Sequence, residues 1–174
     1  MKKLAIGLVL LVCVPAAHAA RRTPQPDSWI IEDIVSFRNQ TWRYQRTMGV
    51  PATPYARSAA TDPSRRYKLW VRSLWRSRAT HARKRFVAGP PHKAGWQCIH
   101  RYEAPWNART GNGYYGGLQM DIGFMRTYAP HLLRKKGTAD RWTPLEQMWV
   151  AEKAHRSGRG FGAWPNTARA CGLV

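Results

Sequence analysis

The sequence predicts a mainly α-helical protein with a short glycine- and tyrosine-rich loop or hairpin and one disulfide, and three observations carry that expectation. Apolar and aromatic residues recur at helical spacing in several stretches, two of them opened by a capping residue followed by proline, at Asp62 and Pro63 and at Thr143 and Pro144. Residues 109–117 interrupt the helical pattern with four glycines, one asparagine and two tyrosines, a composition that permits turns and positive φ. Two cysteines, Cys98 and Cys171, bracket the C-terminal part of the chain.

A length of 174 residues suits one domain with an appendage and excludes a large multidomain enzyme. Nine tryptophans and four phenylalanines supply core material, so the chain is not wholly disordered. Against 9 acidic residues stand 29 Lys and Arg, a formal net charge of +20. Such a balance attracts polyanions: nucleic acid, an anionic membrane surface or an acidic cell-wall polymer.

Lys2 and Lys3 precede an apolar run over residues 4–14, then Pro15 and the small-residue pattern Ala17, His18, Ala19. This reads as a secretory signal peptide spanning residues 1–19. A membrane anchor is the alternative, but the run is about half the ~20 residues that a spanning helix needs. Cys13 falls in the segment to be removed. In an exported chain Cys98 and Cys171 are expected to pair, closing a loop worth ~4 kcal/mol on the chain-entropy model, against the alternative of two buried thiols. His100, two residues from Cys98, is the only nearby extra ligand, so no metal site and no cofactor are expected.

Residues 20–95 form a basic N-terminal region, with 16 Lys and Arg against 4 acids. Residues 21–26 and 48–61 read as loops or linkers, and part of this region is expected to be disordered. Between them a short helix starts near Asp27, with Asp27 or Ser28 as N-cap. A stronger helix covers about residues 62–86, where Tyr67, Trp70, Val71, Leu74 and Trp75 share one face and arginines crowd the rest. The apolar stripe either lies on an anionic surface or packs on the rest of the protein, and packing is favoured because a helix in water buries such a face somewhere.

From residue 96 onward the pattern is mainly helical. Trp96, Ile99, His100 and Glu103 lie along one short helix that Pro105 ends by disfavouring helical geometry at Ala104. Residues 118–128 resume a helix-compatible pattern after the glycine loop, and a helix capped by Thr143 runs toward His155. Glu103 has Tyr102 and Trp106 as neighbours, which would shield its carboxyl from water. A carboxyl held protonated near neutrality is what protonates the leaving oxygen of a glycosidic bond, whereas position alone favours a solvated helix glutamate. Tyr114 and Tyr115 are suited to stacking on sugars, and one of the two is expected in the core instead.

Residues 96–174 resemble the resuscitation-promoting factor domain, a small transglycosylase-like relative of lysozyme. Thr110 to Gln119, read ThrGlyAsnGlyTyrTyrGlyGlyLeuGln, is similar to that family's signature loop. Trp96 stands seven residues before Glu103, as the family's helix tryptophan does before its catalytic glutamate. Glu146 with Gln147, Ala151 with Glu152, and the GlyAlaTrpPro run at residues 162–165 are similar to its later helix and tail. The resemblance implies an α+β lysozyme-like fold, catalysis by Glu103, and a glycan groove lined by Thr110, Asn112, Tyr114, Tyr115 and Gln119, with Gln147 hydrogen-bonding near the glutamate. It departs from the family pattern in three places. Cys98 sits four residues before the family's first cysteine position and Cys171 four after its second, a matched shift that keeps the disulfide. The stretch from Glu103 to Thr110 is two residues shorter, which alters the cleft rim, and one residue is added between Glu152 and Gly162.

What the resemblance implies is a secreted, cell-wall-acting enzyme that cleaves the β-1,4 bond between N-acetylmuramic acid and N-acetylglucosamine without a cofactor, and that promotes growth or resuscitation. Peptidoglycan glycan strands would be its substrate, anionic wall polymers would hold the basic N-terminal region, and a second wall hydrolase would be a partner; nucleic acid is not expected. Asp121, the one other acid near the signature loop, is the candidate second carboxylate if the reaction is a hydrolysis. The rival reading is a peptidoglycan-binding module that grips glycan without cutting it.

Overall fold

The computed structural model describes residues 27–55 and 61–174; the expected signal peptide, Cys13 and the loop at residues 21–26 lie outside the described residues, as does part of the 48–61 linker. Helix α1 spans Ser28–Met48. It is longer than the short helix the sequence suggests, and Asp27 makes no side-chain cap at its start. The Asp27 carboxylate turns instead to Arg65 and, at 3.0 Å, to Lys68, which together hold it below the usual carboxylate range, Lys68 first. The helix ends where Gly49 adopts φ 64, returning its N–H to Arg46, while Val50 donates to Gln45. The next segment folds back onto α1: Thr53 exchanges two hydrogen bonds with the Gln45 amide, and its carbonyl accepts from Trp42 at 2.8 Å.

Helix α2 spans Arg65–Ala88. Its N-cap is Ser64, whose hydroxyl accepts from the Tyr67 amide, two residues beyond the expected Asp62; Asp62 supports the cap by accepting from the Ser64 amide at 2.7 Å. The apolar stripe packs on α1: Val71 and Trp75 are buried with Ile30 and Ile34, while Tyr67 borders that cluster. Trp70 departs from the expected stripe, remaining 57% exposed.

In the C-terminal part, α3 spans Lys93–Glu103, α4 Ile122–Tyr128, α5 Pro130–Lys136, α6 Pro144–Ala154 and α7 Pro165–Ala170. Ala104 is extended before Pro105, as the sequence requires. Residues 118–121 are not helical as expected. Asp121 caps α4, its carboxylate accepting from the Phe124 amide at 2.6 Å, so the helix starts only at Ile122. Thr143 and Glu146 form a reciprocal capping box on α6. Proline opens α5, α6 and α7, where its missing N–H costs nothing. Among the described residues the β-structure is confined to two isolated antiparallel bridges, Arg109 to Tyr115 and Tyr115 to Met120. The Cys98–Cys171 disulfide is formed, with its Cα atoms 6.0 Å apart, and ties α3 to the residue after α7. No described helix is long and apolar enough to cross a membrane.

A second hydrophobic cluster fills this part, with Trp96, Ile99, Leu118, Met125, Val150 and Trp164 among its buried members. The α1–α2 hairpin docks on it at two points. Trp149 of α6 donates to the Phe86 carbonyl at 2.9 Å and stacks on its ring at 6.5 Å. At the end of α1, Arg156 donates to the Met48 carbonyl and Thr47 meets His131 at 3.2 Å. Gly49 lies so close to Lys153 that a Cβ there would sit 2.5 Å from its Cγ, so both the positive φ and the contact require glycine.

His131 at this joint has its pKa lowered to about 4, first by burial and then by the charges of Lys153, Arg46 and Arg134. An unfolded histidine binds its proton near pH 6.5, so between about pH 6.5 and 4 the unfolded state holds more protons and stability falls as pH falls. Urea midpoints at pH 7, 6 and 5 are expected to drop more in the parent protein than in His131→Gln; equal drops would remove His131 from the acid response. Replacing both Cys98 and Cys171 by serine is expected to lower stability by about 2 to 5 kcal/mol in denaturant unfolding.

Candidate functional site

Glu103 is the last residue of α3, and two turns earlier Trp96 is fully buried, so the helix is anchored at its base and presents the glutamate at its end. The carboxylate is half-buried. Thr167 of α7 donates to its Oε1 at 2.8 Å, and among the described residues no other donor reaches it. One oxygen is thereby oriented and the other left available. Tyr102, beside it, is 62% exposed. The turn after Glu103 brings Trp106 back onto α3, where its ring stacks on His100 at 3.9 Å.

The loop over residues 109–120 is shaped by its own polar groups. The Asn112 side chain accepts from the Thr110 hydroxyl at 2.7 Å and from the Tyr114 amide at 3.1 Å, holding the loop tip as an Asx turn. Tyr115 exchanges both backbone hydrogen bonds with Met120 and packs against the core, whereas Tyr114 is 47% exposed. Only one of the two tyrosines therefore faces solvent. Gln119, the one non-glycine residue with positive φ among those described, bonds back to the Gly116 carbonyl.

Gln147 and the stacked pair His100 and Trp106 explain why two glycines stand at residues 116 and 117. Its amide is fully buried: the oxygen accepts from the Gly117 N–H at 2.8 Å, and the nitrogen donates to the carbonyls of Trp106, Ala139 and Trp142. A Cβ on Gly116 would lie 2.5 Å from that oxygen, and one on Gly117 would meet the His100 ring at 2.6 Å. The family resemblance implies that Gln147 hydrogen-bonds near the glutamate. The structure instead spends its hydrogen bonds on backbone, so it positions the loop and the turn after Glu103.

Tyr114, Gln119, Asp121, Thr127, Arg159 and Trp164 line a groove of about 510 Å³. Its polar edge combines an aromatic ring, an amide, a carboxylate and a guanidinium, a set suited to a polar polymer with apolar faces. Glu103 is not among the residues lining this groove; the Trp164 indole donates to the Leu118 carbonyl at 2.7 Å, and its own carbonyl lies 3.4 Å from the hydroxyl of Thr167, the residue that reaches Glu103. Thr167 and Arg159 are not among the residues that the sequence pattern singles out. Thr167 stands two residues past the TrpPro pair, and nothing in its local sequence signals a contact with a residue 64 positions earlier.

Residues 91–167 match the family model of the transglycosylase-like domain. Among curated relatives, resuscitation-promoting factor RpfE of Mycobacterium tuberculosis is 36% identical over 80 residues, covering 45% of this chain and 43% of the relative. Rpf1 of Corynebacterium glutamicum is 39% identical over 69 residues, 39% of this chain and 34% of the relative. RpfB of Mycolicibacterium smegmatis is 38% identical over 80 residues, 44% of this chain and 21% of the relative. The chain thus spans less than half the length of each of these relatives.

Replacing Gln147 by leucine strands the Gly117 N–H and the carbonyls of Trp106 and Trp142 in the interior, while the Ala139 carbonyl keeps the Trp142 N–H. A loss of at least ~2 kcal/mol is expected, a fall in Tm on the order of 5 °C, measured by thermal unfolding.

Proposed function

We propose, taking as premise the transglycosylase-like domain that residues 91–167 form, that the protein is a secreted enzyme cleaving the β-1,4 bond between N-acetylmuramic acid and N-acetylglucosamine of peptidoglycan. The observation that carries this reading is the Glu103 carboxyl group, oriented through one oxygen by Thr167 at the end of a helix anchored in the core. Resuscitation-promoting factors among its relatives support a role in growth or resuscitation.

The chemistry asked of Glu103 has two halves. As an acid it gives its proton to the glycosidic oxygen, and the bond from that oxygen to the anomeric carbon breaks with oxocarbenium character. As a base it then takes the proton of the substrate's own 6-hydroxyl while that oxygen bonds the anomeric carbon, leaving a 1,6-anhydro end. A single carboxylate suffices because the nucleophile belongs to the substrate. Asp121 supports the hydrolytic alternative less well, since its carboxylate is engaged at the start of α4. The exposed Tyr114 and Tyr102 and the groove at Gln119 and Arg159 are the surfaces proposed to hold the glycan strand. Residues 20–95 are proposed as a separate basic region that keeps the enzyme on anionic wall polymers.

Digestion of purified peptidoglycan by the oxidised mature protein is expected to release products with 1,6-anhydro-muramic ends, seen by mass spectrometry and absent with Glu103→Gln. Reducing ends would indicate hydrolysis and implicate Asp121. Release of no product by either protein, with glycan affinity retained, would favour a binding module, the reading that the shortened rim after Glu103 motivates. For the basic region, serine at the exposed Arg66, Arg76, Arg83 and Arg85 of α2 is expected to lower pelleting with purified walls, most clearly at low salt; unchanged pelleting would sink the tether.

A further inference from the structure

The geometry points to a divalent transition-metal site of the zinc class, built by His92, Glu152 and His155, that clamps the start of α3 to the end of α6. His92 immediately precedes α3, Glu152 lies in the last turn of α6, and His155 follows that helix one turn later on the same face. One ligand atom from each of the three lies within 4.8 Å of the others. The Nδ1 atom of His92 is 3.1 and 3.2 Å from the two oxygens of Glu152, and the two imidazole rings are 4.2 Å apart. A tetrahedral ion with bonds of ~2.0–2.1 Å needs its ligand atoms about 3.3 Å apart, within a side-chain rotation of what is present.

The chemistry of the donor set also fits. Two imidazoles and one carboxylate suit zinc, cobalt, nickel or copper rather than calcium or magnesium. Glu152 is fully buried, and a carboxylate removed from water calls for a cationic partner or a metal. Its Oε2 accepts from the Trp96 indole at 2.9 Å, the kind of support behind a ligand that fixes its orientation. Phe161 borders both histidine rings, at 5.6 and 4.6 Å, and closes one side. The His92 side chain is 44% exposed, which leaves a route for the ion and room for water as a fourth ligand. Arg156, the cation next in sequence, is drawn to the backbone carbonyls of Met48 and Glu152.

The reading is independent of peptidoglycan cleavage, and its test uses binding alone. Untagged mature protein is titrated with Zn²⁺ by calorimetry and with Co²⁺ by visible absorption, alongside His92→Ala, His155→Ala and the double variant; circular dichroism of each metal-free protein confirms its fold. Expected are one Zn²⁺ per chain, a rise in Tm that saturates with metal, Co²⁺ bands characteristic of low coordination number, and at least a tenfold loss of affinity in each single variant. Absence of binding by the parent protein, or an unchanged affinity in the double variant, overturns the proposal. Glu152→Gln is not the primary test, because losing the carboxylate also disturbs the contact with Trp96.

Discussion

Two polar side chains buried in one helix set the terms for the rest of the C-terminal fold. Helix α6 is buried along nearly its whole length, yet it carries Gln147 and Glu152, both fully enclosed. A buried amide or carboxylate without partners would cost several times what one ordinary hydrogen bond contributes. The chain meets this constraint by bringing other segments to them. The glycine loop, the turn after Glu103 and the turn before α6 come to Gln147; the start of α3 and Trp96 come to Glu152. The position of Glu103 is thus a consequence of α6, reached through α3 at one end and through the Trp106 turn at the other.

Two further ties act on the opposite side of the glutamate. The disulfide joins α3 to the residue following α7, and Thr167 on α7 reaches the carboxylate directly. The helix end that carries Glu103 would otherwise fray, since its last carbonyls lack partners within the helix. Here covalent and hydrogen-bonded contacts from a distant segment restrain it.

The basic hairpin is not a loose appendage in its described part. It has its own cluster around Trp75 and an ion pair from α1 to α2, and it reaches α6 through Phe86 and Arg156 through Met48. Its charge nevertheless remains outside: Val71 and Trp75 face α1, while most of the arginines stay exposed. Burial of the apolar stripe and exposure of the cations are two faces of one amphipathic pattern, so the same helix packs on its neighbour and presents positive charge to its surroundings. Lys153 shows the cost of the joint: burial, followed by the charge of Arg156, lowers its pKa, while its ammonium finds the Tyr128 carbonyl.

Local signals were legible in the sequence wherever the physics is local. The capping box at Thr143 and Glu146, the break before Pro105, the amphipathic stripe of α2 and the turn chemistry around Asn112 each depend on residues within a few positions of one another. Even there neighbours compete, as when Ser64 rather than Asp62 caps α2 and Asp121 delays α4. The cysteine pair was readable from the expectation of export, since an oxidising compartment leaves few alternatives for two thiols. The burial of Gln147, the hand of Thr167 on Glu103, the choice of Tyr115 over Tyr114 for the core and the meeting of His92 with Glu152 and His155 were decided only by tertiary structure. Each joins residues from different elements, and a polar side chain's partner across such a distance is set by how helices pack, which no local spacing records.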